Sequence, residues 1–289
     1  MPAPRSTGLS GVDAQHDFMR ARRRATIAKL VARLRGEPDD VGVVLPYEEV
    51  IEALGFVSER STGLQVVPLD QIVGSVDRGR DFDRRFRPTS GRSRGRWEQI
   101  AAAARRGESF PPVDLVKVGE LYFVRDGHHR VSVARALGRT DIDAYVTAVR
   151  TRIDADQAMK LSDLPLKSHV RVFFERVPLP AHARSEIVLS DRDDYDELAE
   201  SVEAWGFRAS QSRGEPLDRE QTALLWLETE YRPVVAMLHE AGLIHGCTAT
   251  EAYMSIAAER YRLLRTHDWN EDVLRQVMEG RRRRRLLRG

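Results

Sequence analysis

Asp126, Gly127, His128, His129 and Arg130 stand in a row. Before them runs the apolar stretch "LYFV", and after them the helical alternation "VSVARALG". Two imidazoles and a guanidinium beside a carboxylate and a glycine suit four roles: metal ligand set, nucleophile–base pair, phosphate cradle, or polar turn with histidines satisfied by neighbours. Successive side chains on a helix diverge by about 100°, so adjacent histidines share one ion poorly. His16, His169, His182, His239, His245 and His267 make no HxxxH or HExxH spacing, and Cys247 is the single cysteine, so no zinc set is expected. No nucleophile elbow supports a serine triad. A helix start, by contrast, presents unpaired N–H groups and a partial positive charge. Gly127 lets the backbone approach a ligand closely. Asp126 suits bracing the turn, orienting a histidine or holding a cation. Phosphate oxygens fit these donors best. On this reading Gly127, His128, His129 and Arg130 bind phosphate, and Asp126 and His129 are the candidate catalytic groups.

The elements that must position this row are legible nearby. "VDLVKV" and "LYFVR" read as two strands joined by a tight turn at Gly119 and Glu120. Residues 128–137 read as a helix closed by Gly138, and "DIDAYVTAV" as a further strand. Upstream, "LQVVPLDQIVGSV" is β-rich around Pro68, which suits an edge or entering strand. "WEQIAAAARRG" and "LPYEEVIEALGF" read as short helices. Residues 13–35 form a basic amphipathic helix with Phe18, Ile27, Leu30, Val31 and Leu34 mostly at helical spacing. A helix packed on the body is the expected arrangement. Downstream, "VRVFFERV" alternates like a strand. "SDRDDYDELAESVEAWG" reads as a helix capped by Ser190 or Asp191, with Ser190 and Asp193 spaced as a capping box. The run from Asp218 to Leu243 is a long helix that Pro233 should kink or break. Thr248 and Glu251 form a second capping box.

The chain has 289 residues, 42% of them hydrophobic, and a net charge of +2. That length allows two compact domains, or one large one with extensions. No segment approaches the ~20 apolar residues that cross a bilayer. One cysteine and a polar amino-terminal stretch point to a cytoplasmic protein away from membranes. Of 46 basic residues only four are lysine, which leaves 42 arginines. They concentrate in the helix at 13–35, in the stretch 77–96 and in "RRRRR" at 281–285. Residues 77–96 are expected to form a long loop, ordered on ligand binding, with Arg84, Arg85, Arg92 and Arg94 as candidate contacts to a polyphosphate or a nucleic-acid backbone.

The stretch 64–150 resembles the ParB/sulfiredoxin superfamily domain. "VPLDQIVGS", "GESFPPVDLVKVGELYFVRDGHHRVSVARALG" and "IDAYV" follow the superfamily's order: a PLDxI strand, a helix ahead of G-x-x-x-PPV, a hairpin, a G-x-x-R helix start and a final strand. The resemblance implies a small mixed-sheet α/β (α+β) domain that holds nucleotide phosphates at Gly127, His128, His129 and Arg130. The implied cofactor is a nucleoside phosphate (CTP, ATP or ADP), together with Mg. Sulfiredoxins have a cysteine where His128 stands here. Partitioning clamps have a G-E-R-R box, of which Gly127 and Arg130 keep the ends. Free-serine kinases of the superfamily share Asp-Gly-His-His-Arg but carry an acidic run where "GSVDRGRDFD" stands, with Asp77, Asp81 and Asp83. The distal half is similar to helical tails of ParB-like bacterial proteins through Trp226, Tyr231, Pro233, Val234 and Val235.

The expected organisation is a disordered lead at 1–11, a helical extension at 12–60, the nucleotide domain at 61–150, a mainly helical domain at 151–280 and a basic tail at 281–289. The expected function is a regulatory or switch module that binds a nucleoside di- or triphosphate. The alternatives are a phosphotransferase related to the free-serine kinases and a DNA-binding partitioning protein. Expected partners are the nucleotide, DNA at the basic segments, and a second copy in a homodimer.

Overall fold

The computed structural model describes residues 7–36, 42–77, 81–156, 158–264, 272, 273, 275–277 and 279. The expectations for residues 1–6, for Arg78 and Arg80 and for the tail at 281–289 lie outside the described residues. The chain divides into two compact units, Met1–Ser168 and His169–Gly289.

The first unit is built on a mixed six-stranded sheet. Its strands are β1 (Leu45–Pro46), β2 (Phe56–Pro68), β3 (Ile72–Ser75), β4 (Val113–Val118), β5 (Leu121–Asp126) and β6 (Asp141–Thr151), in the order β1-β3-β5-β4-β6-β2. The hairpin β4–β5 is antiparallel, and β3 runs parallel to β5 with Ser75 opposite Val124. Alternation divides the strand residues between two faces. Val113, Leu115, Val124, Ala144 and Val146 pack with Val131 and Ala134 of helix α4 (His128–Ala136) on the first face. Val116, Val118, Phe123 and Val149 pack with Val50, Ala53 and Leu54 of helix α2 (Tyr47–Leu54) on the second.

Helix α1 (Ser10–Leu34) and helix α3 (Arg94–Arg105) lie together against α4. Phe18 meets Trp97 edge-on at 5.5 Å, and the indole N–H of Trp97 donates to Ser132 Oγ at 2.8 Å. Arg105 of α3 reaches the buried carboxylate of Asp17 at 2.7 Å. Only the first half of α1 is held this way. At ~1.5 Å per residue, its 25 residues outrun the 12 of α3. Of the apolar positions read as a packed stripe, Phe18 is buried, whereas Ile27, Leu30, Val31 and Leu34 are exposed.

Two further readings change. Strand β2 starts at Phe56, inside the stretch expected to be a helical extension, and pairs with β6 along its length. As an edge strand it exposes most side chains on both faces, so no apolar alternation marks its first half. "VRVFFERV" is helical, within α5 (Leu164–Arg176). Phe173 in it and Val177 just past its end are buried four residues apart, a spacing hidden beneath the sequence alternation. The border between units falls inside this helix, at Ser168, rather than near residue 150.

The second unit is helical: α6 (Asp193–Arg213), α7 (Arg219–Trp226), α8 (Arg232–Glu240) and α9 (Ala249–Leu264). Pro233 acts as expected: a π-helical turn, Leu227–Tyr231, interrupts the run just before it. The Thr248–Glu251 box forms in both directions, with Thr248 N–H donating to Glu251 at 2.8 Å and Glu251 N–H donating to Thr248 Oγ1 at 3.1 Å. The Ser190–Asp193 box does not form. Asp191 accepts the Asp193 N–H instead, and Ser190 N–H turns to Glu251.

Three carboxyls of this unit lie below their ordinary value of 4.5: Glu251 through the Thr248 backbone N–H, Glu186 through Arg232, and Glu203 through Arg176. A depressed carboxyl contributes stability above its unfolded value and loses it as pH falls through the folded one. Asp194, raised by partial burial, opposes the trend. The thermal midpoint should therefore fall from about pH 4.5 downward, with a shallower slope in Glu251→Gln. Equal slopes for the two proteins over that range contradict the assignment of Glu251.

Candidate functional site

Strand β3 ends at Ser75 opposite Val124, two residues before β5 ends at Asp126, and α4 starts at His128 after the single residue Gly127. The carboxyl ends of neighbouring parallel strands are where open α/β sheets leave a crevice. Gly127 makes the turn with φ at +98°, a conformation that L side chains rarely adopt. A Cβ there would sit 2.5 Å from Val113 Cγ1, so β4 packs directly against the turn. The amino terminus of α4 is thereby fixed over the sheet edge.

The five residues of the row point in different directions. Asp126 is well exposed and pairs with Arg130. Arg130 also donates to the carbonyls of Pro111 and Pro112, at 2.9 and 2.6 Å. These bonds hold its guanidinium beside the start of β4. His128 and His129 are both buried, with about 5% and 6% of their surface exposed. A hydrogen bond of 2.8 Å joins His128 Nε2 and Ser75 Oγ, and the tautomer decides which atom donates. The structure thus brings an exposed Asp126 and a part-buried Arg130 together over a buried Gly127, with the two imidazoles buried as well.

The covering of the imidazoles comes from the arginine-rich stretch. Residues 81–93 fold back on themselves through a bridge between Phe82 and Pro88. Phe82 stacks on His128 at 6.3 Å and meets His129 edge-on at 5.5 Å, and Phe86 lies 6.3 Å from His128. Both rings are buried in the core of the first face. Residues 81–93 are therefore packed onto the core of the first face. Their anchors are the two phenylalanines, four residues apart, that the surrounding arginines obscure in the sequence.

Two of the four loop arginines, Arg84 and Arg94, have partners outside the row. Arg84 donates to the Met159 carbonyl at 2.6 Å, and burial lowers its pKa. Arg94 bonds Glu98 at 2.5 Å and lies over the Phe18 ring. Arg85 and Arg92 are exposed. Arg87 is taken by Asp83 at 2.7 Å, so Asp83 is engaged inside the loop. Sequence reasoning passed over Ser75, Phe82, Phe86 and Arg135. Arg135 of α4 donates to the carbonyls of Leu69 and Ile72 and lies 5.7 Å from the centre of the Phe86 ring. Burial pulls its pKa down to about 10, against the pull of Asp83 and Asp70. Only the adjacency of "VARALG" to the motif hinted at it.

A shallow cleft of about 240 Å³ lies elsewhere, beyond the far end of α4, between Phe110, Arg139, Thr140 and Asp141. None of the row lines it. Among the described residues no three His, Cys, Asp or Glu side chains gather as a metal-binding set, and no helix is long and apolar enough to cross a membrane.

No family model and no curated protein matches the chain. A solved structure, described as the C2221 form of a Pnob8-like ParB-N domain, aligns over 76% of this chain and 80% of its own, at 12% identity and a TM-score of 0.23. A likeness at that score carries no argument about fold or function.

Proposed function

We propose that the first unit binds a nucleoside di- or triphosphate, with its phosphates held at residues 126–130, and acts as a regulatory module. The observation that supports this most is the turn at Gly127. Its positive φ starts α4 at the carboxyl ends of two parallel strands, and a helix start so placed attracts anions. In this reading the backbone N–H groups at the head of α4 and the remaining N–H donors of Arg130 take the phosphate oxygens. His128 and His129 join them once Phe82 withdraws. Asp126 is the exposed carboxylate suited to the accompanying Mg. CTP, ATP and ADP remain the ligands to compare, and Arg85 and Arg92 the exposed loop cations.

Thermal unfolding of the whole protein with each nucleotide tests the proposal. A ligand at 100 times its Kd adds about 2.7 kcal/mol to stability, well above the resolution of such a scan. Arg130→Lys should keep the fold but weaken binding about tenfold or more, because an ammonium cannot reproduce the fork. Absence of stabilisation by every nucleotide at millimolar concentration rejects the proposal.

A second reading, transfer of a phosphoryl group to a small hydroxyl compound, is favoured by the exposure of Asp126 next to Arg130. Asp126 would take the hydroxyl proton and His129 would assist. Product formation equal to that of Asp126→Asn removes this reading and leaves nucleotide binding intact.

A further inference from the structure

The unclaimed half of α1 carries an ordered pattern. Ile27, Leu30, Val31 and Leu34 recur at intervals that place them on one helix face, and they are 49%, 59%, 37% and 80% exposed. Arg23 and Arg24 continue the same face toward the amino terminus. From Arg20 to Arg35 the helix holds seven basic residues and no acidic one. A basic helix that contacts only phosphates has no use for four exposed aliphatic side chains. This face fits a protein surface with an apolar centre and an acidic border.

The same unit displays such a surface. On the second face of the sheet, the outermost strands β2 and β6 leave Leu64 and Val66 beside Tyr145, at 59%, 67% and 57% exposure. Leu64 pairs with Tyr145 and Val66 with Asp143, so their side chains share the face. Asp141, Asp143 and Asp114 border them, with Asp114 opposite Tyr145 on the other side. The adjoining Arg139 is turned onto the Phe110 ring at 4.3 Å. Helix α2 covers this face only toward its other end, at Val118 and Val149. Strand β2 is the last of the sheet.

We propose that this β2–β6 surface receives the carboxyl-terminal half of α1 from a second copy of the chain. A chain cannot fill its own surface, because α1 is anchored through α3 and α4 on the first face of the sheet and the acceptor lies on the second. Donor and acceptor are different patches, so the contact runs head to tail. Arg23 and Arg24 meet Asp141 and Asp143, and the four aliphatic side chains cover Leu64, Val66 and Tyr145. The inference stands apart from the phosphate loop.

Light scattering and sedimentation of the full chain test it. Self-association should be visible below about 100 µM, a range in which specific contacts of ordinary affinity form, and should weaken with added salt as the Debye length shortens. Leu34→Asp removes the donor and Asp143→Arg the acceptor. Each substitution is at an exposed position, so the fold is kept, and circular dichroism checks this. Each variant alone should associate at least tenfold more weakly. Mixed together they should form a one-to-one complex, because each retains the half that the other lacks. A chain that stays monomeric throughout, or self-association untouched by both substitutions, overturns the proposal. A monomer that binds DNA or anionic vesicles through Leu34 also overturns it and gives the face to that partner.

Discussion

Gly127→Ala is expected to lower the stability of the first unit by about 2–4 kcal/mol and to abolish nucleotide stabilisation together with it. Two costs combine. A non-glycine residue at φ +98° is strained, and such strain is on the order of 1–3 kcal/mol. The added methyl would also lie 2.5 Å from Val113 Cγ1 and 3.2 Å from the Arg130 guanidinium carbon. Neither neighbour moves cheaply. Val113 is fully buried on a central strand, and Arg130 is fixed by two prolyl carbonyls and Asp126. Val113→Ala in the same chain should remove the overlap with Cγ1 and leave the 2.9 Å approach to the residue-113 Cβ and the backbone strain. The double variant is thus expected to be less destabilised than the sum of the single ones. Denaturant midpoints of the four proteins check this. Strict additivity would show that the methyl does not meet Val113.

Trp226→Ala should cost the second unit about 3–5 kcal/mol, the range for losing a large buried aromatic. Trp226 is fully buried. Its ring lies 5.1 Å from Tyr231 and 5.9 Å from Tyr253, and its N–H donates to the Tyr253 hydroxyl at 3.1 Å. The site collapses poorly, because Tyr231 is itself tied by its hydroxyl to the Glu186 carbonyl and to Thr250. Trp226→Phe retains much of the ring and drops the donor. Its expected loss is smaller, about 1–3 kcal/mol, the cost of leaving a buried polar group unmet. A loss for Trp226→Phe equal to that of Trp226→Ala would mean that the hydrogen bond, not the packed ring, holds the cluster. Trp226, Tyr231 and Tyr253 thus form one packed aromatic cluster.

The local elements around the motif were legible because each carries its own signal. "VDLVKVGELYFV" contains two short apolar runs and a turn residue, and the hairpin forms there. Gly127 and the helix after it were read from a change of periodicity, and α4 begins at His128. The Thr248–Glu251 box needs only two side chains and one helix start, and it too is present. Asp218 and Gln221 make a similar box that was missed, since a Gln three residues after an Asp is a weak mark within a long polar run.

The sequence by itself determined which side chains stand at residues 126–130, the hairpin that leads to them and the helix that follows, and its resemblance to a known domain implied the mixed sheet. Those features depend on neighbours a few residues away. Only the tertiary structure decided that His128 and His129 lie beneath Phe82 and Phe86, that Ser75 is the partner of His128, and that Arg84 and Arg94 spend their charge elsewhere. It also decided that Ile27, Leu30, Val31 and Leu34 of α1 stay exposed. Each of these depends on residues far apart in the chain, such as the 53 positions between Ser75 and His128. No periodicity records where two distant segments meet. Burial against the sheet, and the requirement that every enclosed polar group find a partner, select those contacts only once the whole unit has folded.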